Sequence, residues 1–206
     1  MAIRHPKQDR SIATRALLLE AATETFSEHG YDGTRVDAIA QRAGANKQLL
    51  YAYFGNKQAL YEAVITHVFD AVTAEESSLI EEAEAAPEDL TKTLIDGYRR
   101  LHRHHPHFWR LLSWNNLESA VAPRLPVAWK RGAYARLAKV YRAAQAAGMA
   151  PASCSFKTYI FTLSALTFFQ AANQHSMSDT LNRDLTSPAI QARMQRELLA
   201  WLSPDL

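Results

Sequence analysis

Apolar residues recur every three or four positions along most of the chain, which is the spacing of one face of an α-helix. The first stripe predicts a helix over residues 12–29, which should end at Gly30 because glycine commonly stops a helix. The sequence has no stretch in which apolar and polar residues alternate on both sides of a tight-turn dipeptide, so no β-hairpin is predicted. The first stripe consists of Ile12, Ala16, Leu19, Ala22 and Phe26.

Two short helices are predicted next, over residues 36–43 and 46–54. Thr34, followed three residues later by Asp37, is a variant of the capping box, so we expect Thr34 to cap the first of them. Gly44 separates the two helices, and glycine adopts most easily the positive φ of a sharp turn. This arrangement predicts a helix-turn-helix. The inward stripe of the first short helix is Val36, Ile39, Ala40 and Ala43.

Longer helices are predicted for the rest of the chain. Asn56 is placed to cap the first of them, and the breaks between them fall at proline and glycine residues. The change from short to long helices after Phe54 predicts a domain of residues 1–56 and a larger domain of residues 57–206. The fold class is therefore expected to be all-α, with about nine helices. The longer helices are predicted at 57–84, 88–104, 107–117, 124–147, 153–175 and 188–202.

Composition excludes several classes of protein. The 206 residues are 48% hydrophobic and 21% charged, which are globular proportions. Cys154 is the only cysteine, so an intramolecular disulfide and a zinc site built on several cysteines are excluded. No run approaches the ~20 apolar residues that span a bilayer, and the first residues lack the apolar segment of a signal peptide. We therefore expect a soluble, cytoplasmic protein without a membrane partner.

The net charge is only +2, but the charges are unevenly distributed. Residues 1–15 carry three more positive than negative charges, residues 61–96 nine more negative, and residues 97–157 ten more positive. A flexible basic arm beside a DNA-reading module could reach phosphates or the minor groove. The acidic block would then keep DNA away from the middle of the molecule. Solvated helix faces are the alternative explanation of the two central blocks.

The second short helix has two unlike faces. Leu50 and Phe54, one turn apart, can anchor the helix on the protein. The opposite face carries Lys47, Gln48 and Tyr51. Hydrogen-bonding side chains on the exposed face of such a helix can enter a major groove, so this pattern predicts a DNA-reading helix.

Roughly residues 1–60 resemble the DNA-binding domain of TetR-family transcriptional regulators, in the spacing as well as the type of the matching residues. Residues 61–206 resemble the family in architecture only, through six further helices of which the last two could pair with a second subunit. The resemblance rests on Phe26, Gly30, Tyr31, Thr34, Ile39, Ala40, Ala43, Gly44, Leu50, Tyr51, Phe54, Asn56, Lys57 and Leu60.

The resemblance implies a set of DNA-contacting residues. Gln48 could pair with adenine, and Lys47 could reach guanine or phosphate. The family often has a small residue where Gln48 stands, and Ala52 and Tyr53 replace a common aromatic–histidine pair, so base preference is not carried over. Instead of contacting DNA, Tyr51 and Tyr53 could be packing or surface tyrosines. Arg35 and Lys57 could be solvated charges on their helices. The implied set is Thr34, Arg35, Asn46, Lys47, Gln48, Tyr51, Tyr53 and Lys57.

The resemblance also implies that residues 57–206 bind a small-molecule effector and form a symmetric homodimer. The segment 159–169 is apolar enough to be buried on more than one side, and the last helix is apolar as well. These residues could instead fill the core of one subunit. The apolar residues of the last helix are Ile190, Met194, Leu198, Leu199 and Trp201.

Aromatic residues of the larger domain are candidates for the wall of the effector site, because a pocket needs apolar walls and a few polar groups. Core packing is the alternative for each of them. Four histidines within residues 102–107 could bind a metal, but Pro106 divides them and a basic helix end explains them equally well. We expect no metal and no cofactor. The effector candidates are Phe108, Trp109, Trp114, Asn115, Trp129 and Tyr141.

Together these patterns predict a ligand-responsive transcriptional regulator. Its simplest form is a repressor that binds a palindromic double-stranded DNA operator as a homodimer and is released by an effector. An enzyme is disfavoured, because the sequence has no nucleophile–base pair, phosphate loop or HExxH helix. A helical protein-binding module is the second alternative, and steep salt dependence of binding would argue against it. An activator, or a regulator without a ligand, remains open.

Overall fold

The structure is a computed structural model that describes the backbone of residues 6–118 and 128–202 and the side chains of residues 10–118 and 130–202. The described residues form nine α-helices, a 3-10 turn at Pro87–Asp89 and no strand, so the predicted fold class is confirmed. The α-helices are α1 (Pro6–Gly33), α2 (Val36–Arg42), α3 (Lys47–Phe54), α4 (Lys57–Ala85), α5 (Leu90–His104), α6 (Pro106–Leu117), α7 (Ala128–Ala146), α8 (Phe156–Thr180) and α9 (Pro188–Leu202).

Helix α1 begins at Pro6, earlier than its apolar stripe indicated. Residues 6–11 are mostly polar and leave no periodic signal, while proline is well tolerated in the first turn of a helix. The basic arm that we expected to be flexible is therefore helical from residue 6. Gly30 interrupts the helix as predicted, with φ 69° and ψ −176°, a conformation that glycine adopts at little cost.

The predicted helix cap at Asn56 is confirmed, and the predicted cap at Thr34 is not. Asn46 caps α3, which the sequence analysis did not predict because it placed Asn46 inside the helix. The side chains of Asn46 and Asn56 each accept a hydrogen bond, 2.8 Å long, from the N–H three residues later. The expectation that Thr34 caps α2 is wrong, because the N-cap is Arg35, which makes no side-chain cap. Thr34 is buried beneath the end of α1, and its hydroxyl donates to the carbonyl of Gly30 at 2.7 Å.

The chain divides into two compact units. Unit 1 comprises residues 1–73 and 105–126, and so contains α1, α2, α3, the first part of α4, and α6. Helix α6 packs against α1 although more than 70 residues separate them in the sequence. The core of unit 1 includes the fully buried side chains of Leu18, Phe26, Ile39, Leu50 and Leu60.

Unit 2 comprises residues 74–104 and 127–206, and so contains the rest of α4 together with α5, α7, α8 and α9. Helices α5, α7 and α8 contact one another, whereas α9 contains no buried residue. Helix α8 extends to Thr180, beyond its predicted end at residue 175, because no glycine or proline interrupts it there. The core of unit 2 includes Leu94, Ile95, Leu101, Tyr141 and Leu163.

Candidate nucleic-acid interface

Helices α2 and α3 meet at a turn built on Gly44, whose φ is +62°. The N–H of Ala45 donates to the carbonyl of Ala40 at 2.9 Å, and the N–H of Gly44 donates to that of Gln41 at 3.1 Å. These two bonds form the Schellman arrangement, which satisfies carbonyls at the end of α2. The predicted role of Gly44 is thus confirmed, and the turn sets the direction in which α3 leaves.

Helix α3 is anchored through Leu50 and Phe54, which are 0% and 8% exposed. The guanidinium of Arg15 lies 4.9 Å from the centre of the Phe54 ring, which adds a cation–π contact between α1 and α3. Anchoring on one side leaves the opposite face of α3 open to solution. The exposed side chains of that face include Lys47, Gln48 and Tyr51.

Lys47 forms an ion pair with Asp37 of α2, with 3.0 Å between Nζ and Oδ2. The hydrogen bond from Lys47 to Asp37 raises the pKa of the lysine above its usual value. Both side chains are well exposed, at 47% and 71%, so the pair contributes little stability and is screened by salt. Lys47 is therefore a cation that can exchange Asp37 for a phosphate group at little cost.

The residues flanking the two short helices differ in exposure. Arg35, at the start of α2, and Asn46, at the start of α3, are both exposed. Thr34 is only 2% exposed, and its hydroxyl donates to the carbonyl of Gly30. The side chain of Thr34 therefore faces the interior, and of this pair at the start of α2 only Arg35 reaches solution.

Tyr53 and Lys57 are half-buried and have partners within unit 1. The hydroxyl of Tyr53 lies 2.9 Å from that of Ser11 on α1. The ammonium of Lys57 lies 4.5 Å from the centre of the Tyr31 ring. Both contacts hold the ends of α3 and α4 against α1.

Comparison with known proteins identifies this arrangement of helices. Residues 18–64 match the sequence model of the bacterial regulatory proteins of the tetR family, and residues 87–200 match that of the tetracyclin repressor-like C-terminal domain. The chain belongs to the TetR family. It is 34% identical over 168 residues to the HTH-type transcriptional repressor SCO4008 of Streptomyces coelicolor, a match that covers 81% of this chain and 80% of that protein.

Two further similar proteins support this assignment. The HTH-type transcriptional repressor NicS of Pseudomonas putida is 28% identical over 196 residues, covering 92% of this chain and 89% of NicS. The solved structure of SCO4942 from Streptomyces coelicolor matches with a TM-score of 0.67 at 26% identity, covering 93% of this chain and 99% of that one. This TetR-family chain is a DNA-binding transcriptional regulator, as predicted. None of its described helices is both long and apolar enough to cross a bilayer.

Four of the effector candidates of this TetR-family chain lie on α6, within unit 1. The ring of Phe108 is buried and packs edge-on against that of Trp109, with 4.7 Å between centres. The indole N–H of Trp114 donates to the carbonyl of Ser27 at 3.2 Å, which ties α6 to α1. Asn115 is 8% exposed, and its Oδ1 has no hydrogen-bond partner among the described residues. A buried acceptor in that state is unusual in a folded protein.

The remaining two effector candidates lie on α7. Tyr141 is fully buried, and its hydroxyl donates to the carbonyl of Cys154 at 2.9 Å. Burial raises the pKa of Tyr141 well above its ordinary value. Tyr141 thus secures the connection between α7 and α8, which corresponds to the packing role noted as its alternative. The side chain of Trp129 lies outside the described residues.

The histidines of residues 102–107 have separate surroundings. Burial lowers the pKa of His102 to about 4. Nδ1 of His104 lies 3.1 Å from Glu75, and Nδ1 of His107 lies 2.8 Å from the hydroxyl of Ser27. Within the described ranges, no group of three or more histidine, cysteine or carboxylate side chains is arranged to hold a metal ion.

Helices α8 and α9 carry large apolar side chains on their surface. Phe161 and Trp201 are 73% and 75% exposed. An open, mostly apolar cavity of about 450 Å³ lies between the two helices. The sequence predicted that these two helices could pair with a second subunit, with packing in the core of one subunit as the alternative. The apolar lining of the cavity includes Leu166, Phe169, Met177, Met194, Leu198 and Trp201.

Sequence reasoning missed the role of Glu118. Its carboxylate accepts hydrogen bonds from the N–H of Tyr31 at 2.8 Å and from that of Asp32 at 3.2 Å. No motif or periodicity connects residues that far apart. The one available signal was that Glu118 is the only acid among residues 97–157.

Proposed function

We propose that this TetR-family regulator is a repressor that binds a palindromic operator as a homodimer and is released by a small-molecule effector. The observation that carries the proposal is the two-faced helix α3, in which Leu50 and Phe54 are buried while the opposite face is exposed. Reading a major groove requires such an exposed row of hydrogen-bonding side chains. Residues 1–56 bind DNA, and residues 57–206 bind the effector and the second subunit, in the cytoplasm.

Base reading and phosphate binding fall on different residues. Gln48, with Tyr51 one turn away, offers an amide that matches adenine in the major groove. Lys47 and Arg35 are exposed cations that suit phosphates, which fix the register of the protein on the duplex. Asn46 uses its Oδ1 as a helix cap, and its amide N–H groups remain able to donate to a phosphate.

The three other predicted contacts position the reading helix. Thr34 is buried beneath α1, and Tyr53 is hydrogen-bonded to α1. Lys57 lies over an aromatic ring, a contact that leaves its N–H groups able to reach a phosphate. These residues fix where α2, α3 and α4 begin or end, so their contribution to DNA binding is mainly geometric.

The homodimer forms through the apolar faces of α8 and α9. Contiguous apolar surface of this kind marks an interaction site, and a twofold interface uses the same patch on both subunits. Phe161 and Trp201 are its most exposed members. A twofold pair presents two reading helices to half-sites about 34 Å apart, and this explains why a palindrome is expected.

Effector recognition centres on Asn115 of α6. Its buried Oδ1 lacks a described partner, and Phe108 and Trp109 lie on the same helix. This surrounding suits a molecule with an apolar body and one hydrogen-bond donor. The effector releases DNA only to the extent that it binds the DNA-free conformation more tightly than the DNA-bound one.

The experiment that tests the proposal is selection of bound duplexes from a random pool by the purified protein at two salt concentrations. We expect an enriched palindrome whose affinity falls steeply with salt. Gln48→Ala should relax the preference at one base position by about 1–3 kcal/mol. Lys47→Ala should weaken binding to all sequences alike and reduce the steepness of log affinity against log salt concentration by about one.

Lys139→Ala, an exposed lysine of α7, is the matched control and should behave as the wild type. The selection is repeated after denaturation and refolding, so that a co-purified effector cannot mask DNA binding. If no palindrome is enriched at either salt concentration in either preparation, the proposed function is wrong.

A further inference from the structure

The turn after Gly30 is a meeting point of helices in unit 1. At Gly30, with φ +69°, the backbone leaves the helical region, and Tyr31 and Asp32 follow. Glu118, which directly follows the last residue of α6, accepts hydrogen bonds from the backbone N–H groups of both of these residues. Its Oε2 accepts from Tyr31 at 2.8 Å, and its Oε1 accepts from Asp32 at 3.2 Å. A carboxylate that accepts two backbone N–H groups forms charge-assisted bonds, which are stronger than neutral ones.

The contact between α6 and this turn is closely fitted. A Cβ atom at Gly30 would lie 2.6 Å from Oε1 of Glu118 and 2.8 Å from Cε3 of Trp114. One turn of α1 earlier, Ser27 accepts the indole N–H of Trp114 on its carbonyl and contacts His107 through its hydroxyl. Helix α6 therefore holds the end of α1 at several points along its length.

Helix α4 joins the same turn through the side chain of Tyr31. The ring of Tyr31 lies 5.2 Å from that of Tyr61, and the ammonium of Lys57 lies over its face. Burial, with the nearby charge of Glu118, raises the pKa of Tyr61 to about 12. The carboxylate of Glu118 thus accepts hydrogen bonds from α1 and also has an electrostatic effect on a buried side chain of α4.

The chain passes directly from this turn into the DNA-binding helices. The N–H of Thr34 donates to the carbonyl of Tyr31 at 3.3 Å, and its hydroxyl donates to the carbonyl of Gly30 at 2.7 Å. Arg35 follows as the N-cap of α2. The position of Arg35 therefore depends on the geometry of the residues that Glu118 holds.

We propose that Glu118 is a positioning residue for DNA binding, which fixes Arg35 and the start of α2 through the N–H groups of Tyr31 and Asp32. This inference rests on the proposed function, because it concerns the same DNA-binding surface.

The test measures binding of full-length variants to the duplex that the wild-type protein selects. Glu118→Ala should bind about tenfold more weakly, the scale of one charge-assisted hydrogen bond. Glu118→Gln keeps one amide oxygen as an acceptor, so its affinity should lie between those of the wild type and of Glu118→Ala. It serves as the second variant if Glu118→Ala does not fold. Amide hydrogen exchange at Tyr31 and Asp32 should become faster in both. Asn116→Ala, an exposed change on the same helix, is the matched control.

A double-mutant cycle with Arg35→Ala distinguishes positioning from general loss of stability. If Glu118 acts through Arg35, then Arg35→Ala costs less affinity in the Glu118→Ala protein than in the wild type. Unchanged affinity of Glu118→Ala, additive losses, or a loss fully accounted for by the unfolded fraction would each overturn the proposal. A wild-type protein that selects no duplex contradicts the proposed function itself.

Discussion

His102 on α5 is partly buried, and burial lowers its pKa to about 4. In the unfolded chain the imidazole titrates near its ordinary value of about 6.5. Between these two values the unfolded state binds a proton that the folded state does not, so the free energy of unfolding rises with pH. The stability associated with a neutral His102 is therefore complete above about pH 6.5 and is lost as the pH falls toward 4.

We predict that His102→Gln reduces the loss of stability in acid. Between pH 7.5 and 5.0 the wild type should lose about 1 kcal/mol more than the variant, a value discounted for the partial exposure of the side chain. Urea unfolding at the two pH values measures the difference. His175→Gln, at an exposed histidine of α8, should retain the wild-type dependence, and a variant as acid-sensitive as the wild type would contradict the prediction.

Individual side chains were predicted well where only neighbouring residues decide their contacts. The cap by Asn56 and the positive φ of Gly44 belong to this class. Thr34 has an equally good capping side chain, but it is buried under the end of α1 and bonds to Gly30 instead. Its local pattern was correct, and packing against another helix overrode it.

Helices α4 and α7 are joined within unit 2 by two ion pairs that differ in burial. In the first, Nζ of Lys130 lies 2.9 Å from Glu76, and the two side chains are 19% and 8% exposed. In the second, Arg136 pairs with Glu84, and the side chains are 44% and 38% exposed. Removing one partner of a buried pair leaves a desolvated charge behind, whereas an exposed pair contributes little.

We predict that Lys130→Met lowers the free energy of unfolding by about 3 kcal/mol, because the buried carboxylate of Glu76 then loses this ion pair. Arg136→Met, on the same helix, should cost less than about 1 kcal/mol. Urea unfolding at neutral pH measures both values. Equal costs for the two variants would mean that burial of the first pair does not determine its contribution.

The helices themselves were predictable except where their ends lack a signal. Glycine and proline marked most ends, because these residues interrupt a helix whatever surrounds them. The start of α1 at Pro6 was missed, since a polar extension shows no apolar stripe. The extension of α8 to Thr180 was missed for a related reason, because its surface residues carry no periodic pattern.

At the scale of the whole molecule, the proposed homodimer has a direct test. Phe161→Glu and Trp201→Glu each place a charge on the apolar faces of α8 and α9, so we expect monomers by size-exclusion chromatography with light scattering. Operator binding should fall by about a hundredfold or more, since two half-sites are no longer bound by one linked molecule. Met149→Glu, an exposed change after α7, is the control. Dimers of the first two variants at micromolar concentration would refute this interface.

Local patterns were sufficient for the all-helical content, the turn at Gly44 and the two-faced helix α3. Each depends on residues within a few positions of one another, where backbone preference and apolar spacing act directly. Packing in three dimensions decided the burial of Thr34, the place of α6 against α1 and the contact of Glu118 with Tyr31. The last two join residues far apart in the chain, and such contacts leave no periodic trace in the sequence because they exist only once the helices have packed.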